Sequence, residues 1–244
     1  MPEFRYAQFC PLARAAEVLG ERWTLLVVRE LLLGPQRFSD LMRRIPGVSS
    51  SVLSARIRRL EERGIVARRQ LPPPAASSVI ELTDLGQGLR QVVLAMTSWG
   101  IQLMQPRQPG DHYEPTWLRL GLIVITSPNP TPERKFVLRV PDAGQDVVMI
   151  LSGGPDGARI DDLDPSPERA ADAEIRAEAN VLLGIATGSI DIEAALAEGT
   201  IALTGDERAL ADLPALFSLE TVLGRGSDPA SAPDVAAAAT AHST

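Results

Sequence analysis

Short hydroxyl-bearing side chains precede Arg56, Arg58 and Arg59 in a helix predicted within the stretch VSSSVLSARIRRLEERG, from Val48 to Gly64. Hydroxyl and guanidinium groups both donate hydrogen bonds, and guanidinium groups also carry the positive charge that neutralises phosphate. A helix enters the major groove of DNA, about 12 Å wide, when the side chains at its leading end are short enough for close approach to the base edges. The pattern therefore favours a helix that contacts double-stranded DNA.

Apolar residues define which side of this helix faces a protein core. Leu53, Ile57 and Leu60 recur at i, i+4 and i+7, so they form one stripe when successive residues turn by about 100°. The remaining polar side chains are candidates for contacts with base edges or phosphates. These candidates within the helix are Ser50, Ser51, Ser54, Arg56, Arg58 and Arg59.

The neighbouring segments predict a helix-turn-helix followed by a wing. Residues 38–45 have apolar side chains at helical spacing, and Pro46-Gly47 ends that helix before the quoted one begins. Two β-like runs, IVARRQL and SVIELT, follow Gly64 and are separated by a proline-rich loop. In such motifs the first helix crosses the DNA backbone. Five more arginines thereby become candidate DNA contacts: Arg37, Arg43, Arg44, Arg68 and Arg69.

Charge is divided unevenly along the 244 residues, whose formal net charge is -7. Residues 1–110 hold 15 Arg and no Lys against 9 Asp and Glu, a net charge of +6, whereas residues 111–244 hold 9 Lys and Arg against 22 Asp and Glu, a net charge of -13. A basic half fits a polyanionic partner although the whole chain is acidic. An alternative, that the arginines are only the solvated face of an amphipathic helix, is less favoured once the turn, the wing and this local charge are combined.

Composition and spacing also exclude several classes of function. The single cysteine, Cys10, excludes an intrachain disulfide, and His112 and His242 lie far apart, so we expect no structural metal and no cofactor. No Ser/His/Asp arrangement or glycine-rich phosphate loop occurs, so we expect no enzyme activity. Because the sequence shows neither a leader nor an apolar stretch of about 18 residues, we expect a cytoplasmic protein with no membrane partner.

At this length the chain is predicted to contain two domains. Residues 1–105 form a mainly α winged-helix domain, 106–116 a linker rich in proline and polar residues, and 117–221 an α+β domain with an antiparallel sheet and several helices. Residues 222–244 are a small-residue tail predicted to be disordered. A long helix from Asp84 to about Met104 carries two apolar stripes, which indicates packing against its own domain and against a second subunit.

Several motifs of the N-terminal half occur together in one known family. They are Cys10-Pro11, Trp23, the G-x-x-R-F-S-D-L block from Gly34 to Leu41, the Leu53-Ser54-x-Arg56 segment and the L-T-x-x-G segment from Leu82 to Gly86. With these motifs, residues 8–105 resemble HxlR-type winged-helix transcriptional regulators. The resemblance implies a homodimer on a partly palindromic DNA operator, with its first and last helices at the dimer contact. It also implies recognition-helix roles for Ser50, Ser51, Ser54, Arg56 and Arg58.

Cys10 occupies a position at which some members of this family sense oxidants or electrophiles. The resemblance therefore implies redox sensing at Cys10, in which the reactive form would be an accessible thiolate. A small buried residue before a helix-starting proline is the alternative interpretation.

The acidic half has a different order of predicted helices and strands. An apolar helix ends at Gly188, a second helix ends in A-x-x-E-G at Gly199, and a strand, Gly205-Asp206 and a final helix follow. In this order, roughly residues 117–220 are similar to the sterol-carrier-protein type of lipid-binding domain, which implies an apolar tunnel for acyl or sterol-like molecules. Candidate lining residues are Leu182, Leu183, Ile185, Ile192, Leu196, Leu203, Leu216 and Phe217. An ordinary filled core is the alternative interpretation.

Taken together, these features predict a sequence-specific transcriptional regulator that binds DNA as a homodimer and is modulated by an apolar ligand. One alternative is a lipid-binding carrier or scaffold whose helix-turn-helix serves protein interaction. Another keeps DNA binding but makes the acidic domain a ligand-free module for dimerisation or partner docking.

Overall fold

The computed structural model describes residues 5–72, 77–101, 103, 110–142, 146–162, 171–186 and 189–218. These residues divide into two compact units. The first comprises the residues up to 96 together with those of 108–116, and the second comprises those of 97–107 together with those from 117 onward. Of the segment predicted as a linker, 106–116, the described residues 110–116 group with the first unit.

Helices dominate the first unit. They are α1 (Pro11–Leu19), α2 (Thr24–Leu32), α3 (Phe38–Arg44), α4 (Ser50–Glu62), α5 (Asp84–Gln87) and α6 (Arg90–Ile101), whose last residues belong to the second unit. Two strands, β1 (Val66–Gln70) and β2 (Ser78–Leu82), lie between α4 and α5. The predicted order of helix, turn, helix and two-stranded wing is confirmed.

The core of this unit lies beneath α2, α3 and α4. Leu53, Ile57 and Leu60 of α4 are at most 1% exposed, so the predicted apolar stripe is confirmed. They share the core with other buried residues, which are Val27, Val28 and Leu31 of α2, Leu41 of α3 and Ile45 directly after α3. Burial of one such side chain stabilises the fold by roughly 1.5–3 kcal/mol. One side of α4 is therefore packed against the core, and Ser51 and Ser54 lie away from it.

The wing is a two-stranded antiparallel sheet that a third segment extends. Val66 of β1 lies opposite Leu82 of β2, and the pairing continues to Gln70 opposite Ser78. Gln36, just before α3, forms two backbone hydrogen bonds with Ile80, of 2.9 and 2.8 Å. These bonds anchor the wing to the start of the helix-turn-helix. Residues 73–76 of the wing loop lie outside the described residues.

The prediction of one long helix from Asp84 to about Met104 is wrong in its first part, because a turn at Gly88 and Leu89 separates α5 from α6. Gly86 explains why this segment packs so closely. A Cβ atom at Gly86 would lie 2.1 Å from the Ile65 carbonyl oxygen, so only glycine fits there. Met104 lies outside the described residues.

The second unit combines helices with a five-stranded sheet. After a short 3-10 helix (Pro115–Trp117) come α7 (Leu118–Ile125), β3 (Lys135–Val140), β4 (Val147–Ser152), β5 (Arg159–Asp162), β6 (Ala173–Ala177), α8 (Ala179–Ala186), α9 (Ile192–Ala197) and β7 (Ile201–Gly205). A 3-10 helix from Glu207 to Leu216 follows, with Pro214 inside it. The α+β class is confirmed.

The sheet itself is mixed, so the predicted antiparallel sheet is wrong at one pairing. The strand order is β5-β4-β3-β6-β7, and β6 pairs with β3 in parallel whereas the other neighbours are antiparallel. A parallel neighbour needs a long crossover connection, which the chain between β3 and β6 provides. Sequence periodicity missed β6, whose five residues AEIRA contain a single β-branched side chain.

Apolar side chains on one face of this sheet form the second core. Along β3, Phe136, Leu138 and Val140 alternate with more exposed residues, and the helices contribute buried residues that include Leu122 of α7 and Leu182 of α8. Across the described ranges, none of the helices has the length and apolar character needed to span a membrane. The tail predicted to be disordered, 222–244, lies outside the described residues.

Candidate nucleic-acid interface

The turn before α4 sets the position of its first residues. Gly47 has a φ of +85°, a backbone conformation that favours glycine. A Cβ atom added at Gly47 would lie 3.4 Å from the Trp23 ring, which is an ordinary van der Waals contact, so the backbone conformation and not space requires glycine here. Ser49 then caps α4 by accepting a hydrogen bond from the Val52 backbone N–H at 3.3 Å. The Ser49 and Ser51 hydroxyl oxygens are 3.1 Å apart and share a hydrogen bond. Hydroxyl groups thus cluster where α4 begins.

The outer side of α4 matches the predicted contact surface in part. Ser51 and Arg58 are exposed and Ser54 is half-buried, and all three point away from the Leu53 stripe. Ser50 is also exposed, at the first turn of α4, but it lies on the same helix face as Leu53 and Ile57. Within the described part of the chain, Arg58 has no hydrogen-bond or ion-pair partner. This guanidinium group is therefore available to a phosphate or a guanine edge without first breaking an ion pair.

Arg56 and Arg59 lie elsewhere, because both form ion pairs with Glu21 in the turn between α1 and α2. The side chains of Arg56 and Arg59 are 22% and 24% exposed, and that of Glu21 is 25% exposed. Burial and the neighbouring positive charge of Arg59 lower the pKa of Arg56. Although both arginines were predicted to contact DNA, the structure directs them toward their own unit.

Arg44 is likewise turned inward. Its guanidinium lies 3.8 Å from a carboxylate oxygen of Glu30, and its side chain is 19% exposed while Glu30 is fully buried. Arg29 forms the closer contact with Glu30, at 2.7 Å. Burial lowers the pKa of Arg29, against the opposing effects of the nearby Glu30 and Glu114 carboxylates. This buried group of charges joins α2 to α3 and leaves Arg44 poorly placed for DNA.

The remaining predicted arginines are exposed and flank α4. Arg37 donates a hydrogen bond to the Ser77 hydroxyl at 3.1 Å, and Arg43 lies 3.6 Å from Asp40 with most of its side chain in solvent. On the wing, Arg68 and Arg69 are both exposed and each forms an ion pair of 2.8 Å, with Glu61 and Glu81 respectively. Exposed pairs of this kind contribute only about 0–1 kcal/mol, so their arginines can exchange a carboxylate for a phosphate.

The counter-ions Glu21 and Glu30 are the residues that sequence reasoning missed. Glu30 gave a partial signal, since it interrupts an otherwise apolar helix in the stretch WTLLVVRELLL. Charged residues are rarely buried unless they are paired, so a partner was to be expected there. Glu21 gave no such signal, because it lies in a turn where an exposed carboxylate is ordinary.

The other predicted site residues are placed as follows. Cys10 is half-buried and is the residue immediately before the first turn of α1. Of the eight predicted ligand-lining residues, Leu182, Ile185 and Leu216 belong to the buried core of the second unit. The other five pack against that core with partial exposure: Leu183, Ile192, Leu196, Leu203 and Phe217.

Known proteins with similar sequences share the N-terminal part of this chain. The HxlR-like helix-turn-helix family matches residues 18–108. YvaP of Bacillus subtilis strain 168, described as an uncharacterized HTH-type transcriptional regulator, is 34% identical over 101 residues, which are 41% of this chain and 94% of YvaP. The HTH-type transcriptional regulator YodB of the same strain is 35% identical over 98 residues, which are 40% of this chain and 88% of YodB.

A solved structure of the reduced form of YodB from B. subtilis covers 43% of this chain and all of its own, with 34% identity and a TM-score of 0.35. Because the family match ends at residue 108, the resemblance of residues 117–220 to sterol-carrier proteins stays a prediction. Since the relatives are covered almost completely at this level of identity, the chain belongs to the HxlR-like helix-turn-helix family, of which its first unit is a member domain.

Proposed function

We propose that this protein is a transcriptional regulator that binds an operator in double-stranded DNA through α4. The observation that carries the proposal is the outer side of α4, where exposed serines lead and Arg58 follows without an ion-pair partner among the described residues. Relatives named as HTH-type transcriptional regulators support it. We place this activity in the cytoplasm, as is expected of a bacterial-type regulator.

In this proposal the residues of α4 contact the bases and the flanking arginines contact the DNA backbone. Short serines at the start of α4 allow the helix to approach base edges, and Arg58 either donates to a guanine or binds a phosphate. Arg37, Arg43, Arg68 and Arg69 contact the sugar-phosphate backbone on both sides of the groove. Backbone contacts position the protein and base contacts specify the sequence, so base discrimination rests on α4.

A second copy of the chain completes the regulator. Val92, Met96 and Trp99 of α6 recur at i, i+4 and i+7 and are all exposed, and Phe9 and Leu12 at the start of α1 are exposed as well. Large apolar side chains in solvent at helical spacing are typical of an interface. We assign this stripe to a homodimer contact, which would place two recognition helices about 34 Å apart on a two-fold DNA site.

Selection from a random DNA pool tests the proposal directly. The purified full-length chain should enrich a partly palindromic sequence, and fluorescence anisotropy should show that its affinity falls steeply with salt, with a log-log slope near -0.9 per phosphate contacted. Failure to enrich any sequence, together with binding that does not respond to salt, would favour the alternative in which the helix-turn-helix serves protein interaction.

Modulation by an apolar ligand in the second unit stays a prediction. Its support is the sequence of elements, in which α8, α9, β7 and the final 3-10 helix follow in the order that the resemblance implies. Native mass spectrometry of the purified protein should show a retained lipid or acyl molecule. Such a ligand should change operator affinity, commonly about 5–150-fold. A protein that retains nothing, and whose DNA affinity does not respond to added fatty acid, would leave the second unit as a module for dimerisation or partner docking.

Redox sensing at Cys10 also stays a prediction. Cys10 is the only cysteine of the sequence, so a disulfide at Cys10 joins it to a thiol of another molecule, such as a second copy of the chain or a small thiol. Operator affinity measured before and after treatment with diamide, in the unaltered protein and in Cys10→Ser, decides the point. A response that persists in Cys10→Ser would exclude this cysteine.

A further inference from the structure

We propose that Glu21 is a positioning residue for α4. Its carboxylate holds Arg56 and Arg59 against the first unit, so that Arg58 is the arginine of α4 that meets DNA. This inference rests on the proposed DNA-binding function and adds a residue that lies outside the helix-turn-helix.

The first step is geometric. Glu21 lies between α1 and α2, and it forms ion pairs with both Arg56 and Arg59 on the inner part of α4. All three side chains are about three-quarters buried, so these pairs are less exposed to solvent than the Arg68 and Arg69 pairs of the wing. A single carboxylate therefore connects the α1–α2 turn to two successive turns of the recognition helix.

The second step concerns rotation of the helix. At about 100° per residue, Arg58 points about 160° away from Arg56 and about 100° away from Arg59. Rotation of α4 about its axis would pull both arginines away from Glu21 together. The packed apolar stripe also resists rotation, and the two ion pairs add contacts that depend on direction as well as on distance.

The third step concerns charge. Arg56 and Arg59 are three residues apart on one helix, where like charges repel each other. Glu21 offsets that repulsion, and it also offsets the positive charge that these two arginines would otherwise add to the DNA-facing surface. Without this carboxylate the first unit would carry more positive charge, and the Arg56 and Arg59 side chains would no longer be held in one direction.

Opposite effects on two DNA probes follow from these steps. Loss of the Glu21 charge should strengthen binding to random-sequence DNA, since two cations lose their counter-ion. It should weaken discrimination, since α4 is no longer fixed in rotation. A residue that merely stabilised the fold would weaken both kinds of binding when it was replaced.

The experiment compares Glu21→Gln with Glu21→Asp in the full chain. Glutamine keeps the shape and removes the charge, whereas aspartate keeps the charge and shortens the side chain. The probes are a duplex selected by the unaltered protein and a scrambled duplex of the same composition. We expect Glu21→Gln to lower the affinity ratio of selected to scrambled DNA about three- to tenfold, and Glu21→Asp to change it by less than about twofold. Asp84→Asn, which removes an exposed carboxylate of the same unit that forms no ion pair with a described arginine of α4, should leave the ratio unchanged.

A ratio that Glu21→Gln leaves unchanged, or that Glu21→Asp lowers as much, would overturn the inference. A second measurement needs no DNA: phenylglyoxal modification mapped by mass spectrometry should label Arg58 well before Arg56 and Arg59 in the unaltered protein, and all three at similar rates in Glu21→Gln. Equal labelling in the unaltered protein would also overturn the inference. Because this labelling is independent of operator binding, it separates failure of the Glu21 contacts from failure of the proposed function.

Discussion

Arginine is used differently in the two units. In the second unit, four arginines on or beside the sheet each have a carboxylate partner: Arg134 with Asp212, Arg139 with Glu174, Arg159 with Asp161 and Arg176 with Asp146. In the first unit several arginines are also paired, but Arg58 has no partner among the described residues.

The local balance of charge accounts for this difference. Residues 1–110 carry a net charge of +6 and residues 111–244 carry -13, so arginines outnumber carboxylates in the first part of the chain and carboxylates outnumber cations in the second. Where carboxylates are in excess, most guanidinium groups of the described residues have a carboxylate neighbour, although the exposed Arg208 has none among them. Where arginines are in excess, some remain for a polyanion. The number of cations in a unit is thus less informative than the number left after internal pairing.

The largest expected effect tests whether the units are independent. Leu53 in the first core and Leu138 in the second are both almost fully buried, so each leucine-to-alanine change should lower the free energy of unfolding of its own unit by about 2–5 kcal/mol. Differential scanning calorimetry should show Leu53→Ala shifting one transition and Leu138→Ala the other. If either variant moved both transitions equally, the two units would unfold as one body and the comparison would lose its basis.

The next effect concerns the arginines themselves. Arg58→Ala should weaken binding to a selected DNA duplex by about 1–3 kcal/mol, because it removes a guanidinium on the outer side of α4 that has no partner among the described residues. Arg139→Ala is the matched control: its guanidinium pairs with Glu174 at 2.6 Å and has no part in the proposed contact. Fluorescence anisotropy of both variants decides the point. Equal losses would mean that the acidic unit also contacts DNA.

Sequence periodicity was sufficient for the parts of the first unit that rest on local pattern. The apolar stripe of α4, the turn at Pro46-Gly47 and the two wing strands all follow from spacing and turn residues. Helical spacing also argues against one part of the predicted contact set. Arg56 lies about 160° from Arg58 on a helix, so the two side chains cannot share a face. A stricter use of the same periodicity would have set Arg56 apart.

Features that depend on distant partners were beyond a local pattern. Glu21 and Glu30 acquire their roles only when α4 and α3 pack beside them, which no spacing within one element reveals. The parallel strand β6 is similar, because its place beside β3 follows from a crossover rather than from its own residues. The break between α5 and α6, at Gly88 and Leu89, likewise has no signal in the apolar spacing of the segment.

A smaller effect is expected for the apolar stripe on α6. Met96→Asp should weaken self-association by about 1–2 kcal/mol, since a charge would have to be buried in an apolar contact. Leu26→Asp is the control, because Leu26 is also exposed but lies on α2. Sedimentation velocity over a range of concentrations should show a shift toward monomer for Met96→Asp alone. The same shift in both variants would indicate a general effect of added charge rather than a dimer contact on α6.

The smallest expected effect is a pH dependence confined to the first unit. Burial acts to raise the pKa of Glu17, but the hydrogen bond from the Tyr6 backbone N–H at 2.8 Å and the Arg14 guanidinium at 3.1 Å outweigh it, so the pKa of Glu17 is lowered below its ordinary value of 4.5. A folded-state pKa below the unfolded one means that the carboxylate stabilises the fold above pH 4.5, and that this contribution is lost as the pH falls through the lower, folded-state value.

Glu17→Gln should therefore lower the transition temperature of the first unit at neutral pH and flatten its decline in acid. Glu198→Gln, which alters an exposed carboxylate of the second unit, should leave that transition and its pH dependence as they are. If Glu17→Gln instead flattened the acid response of both transitions, the charge of Glu17 would act on the whole chain and not on the α1 segment alone.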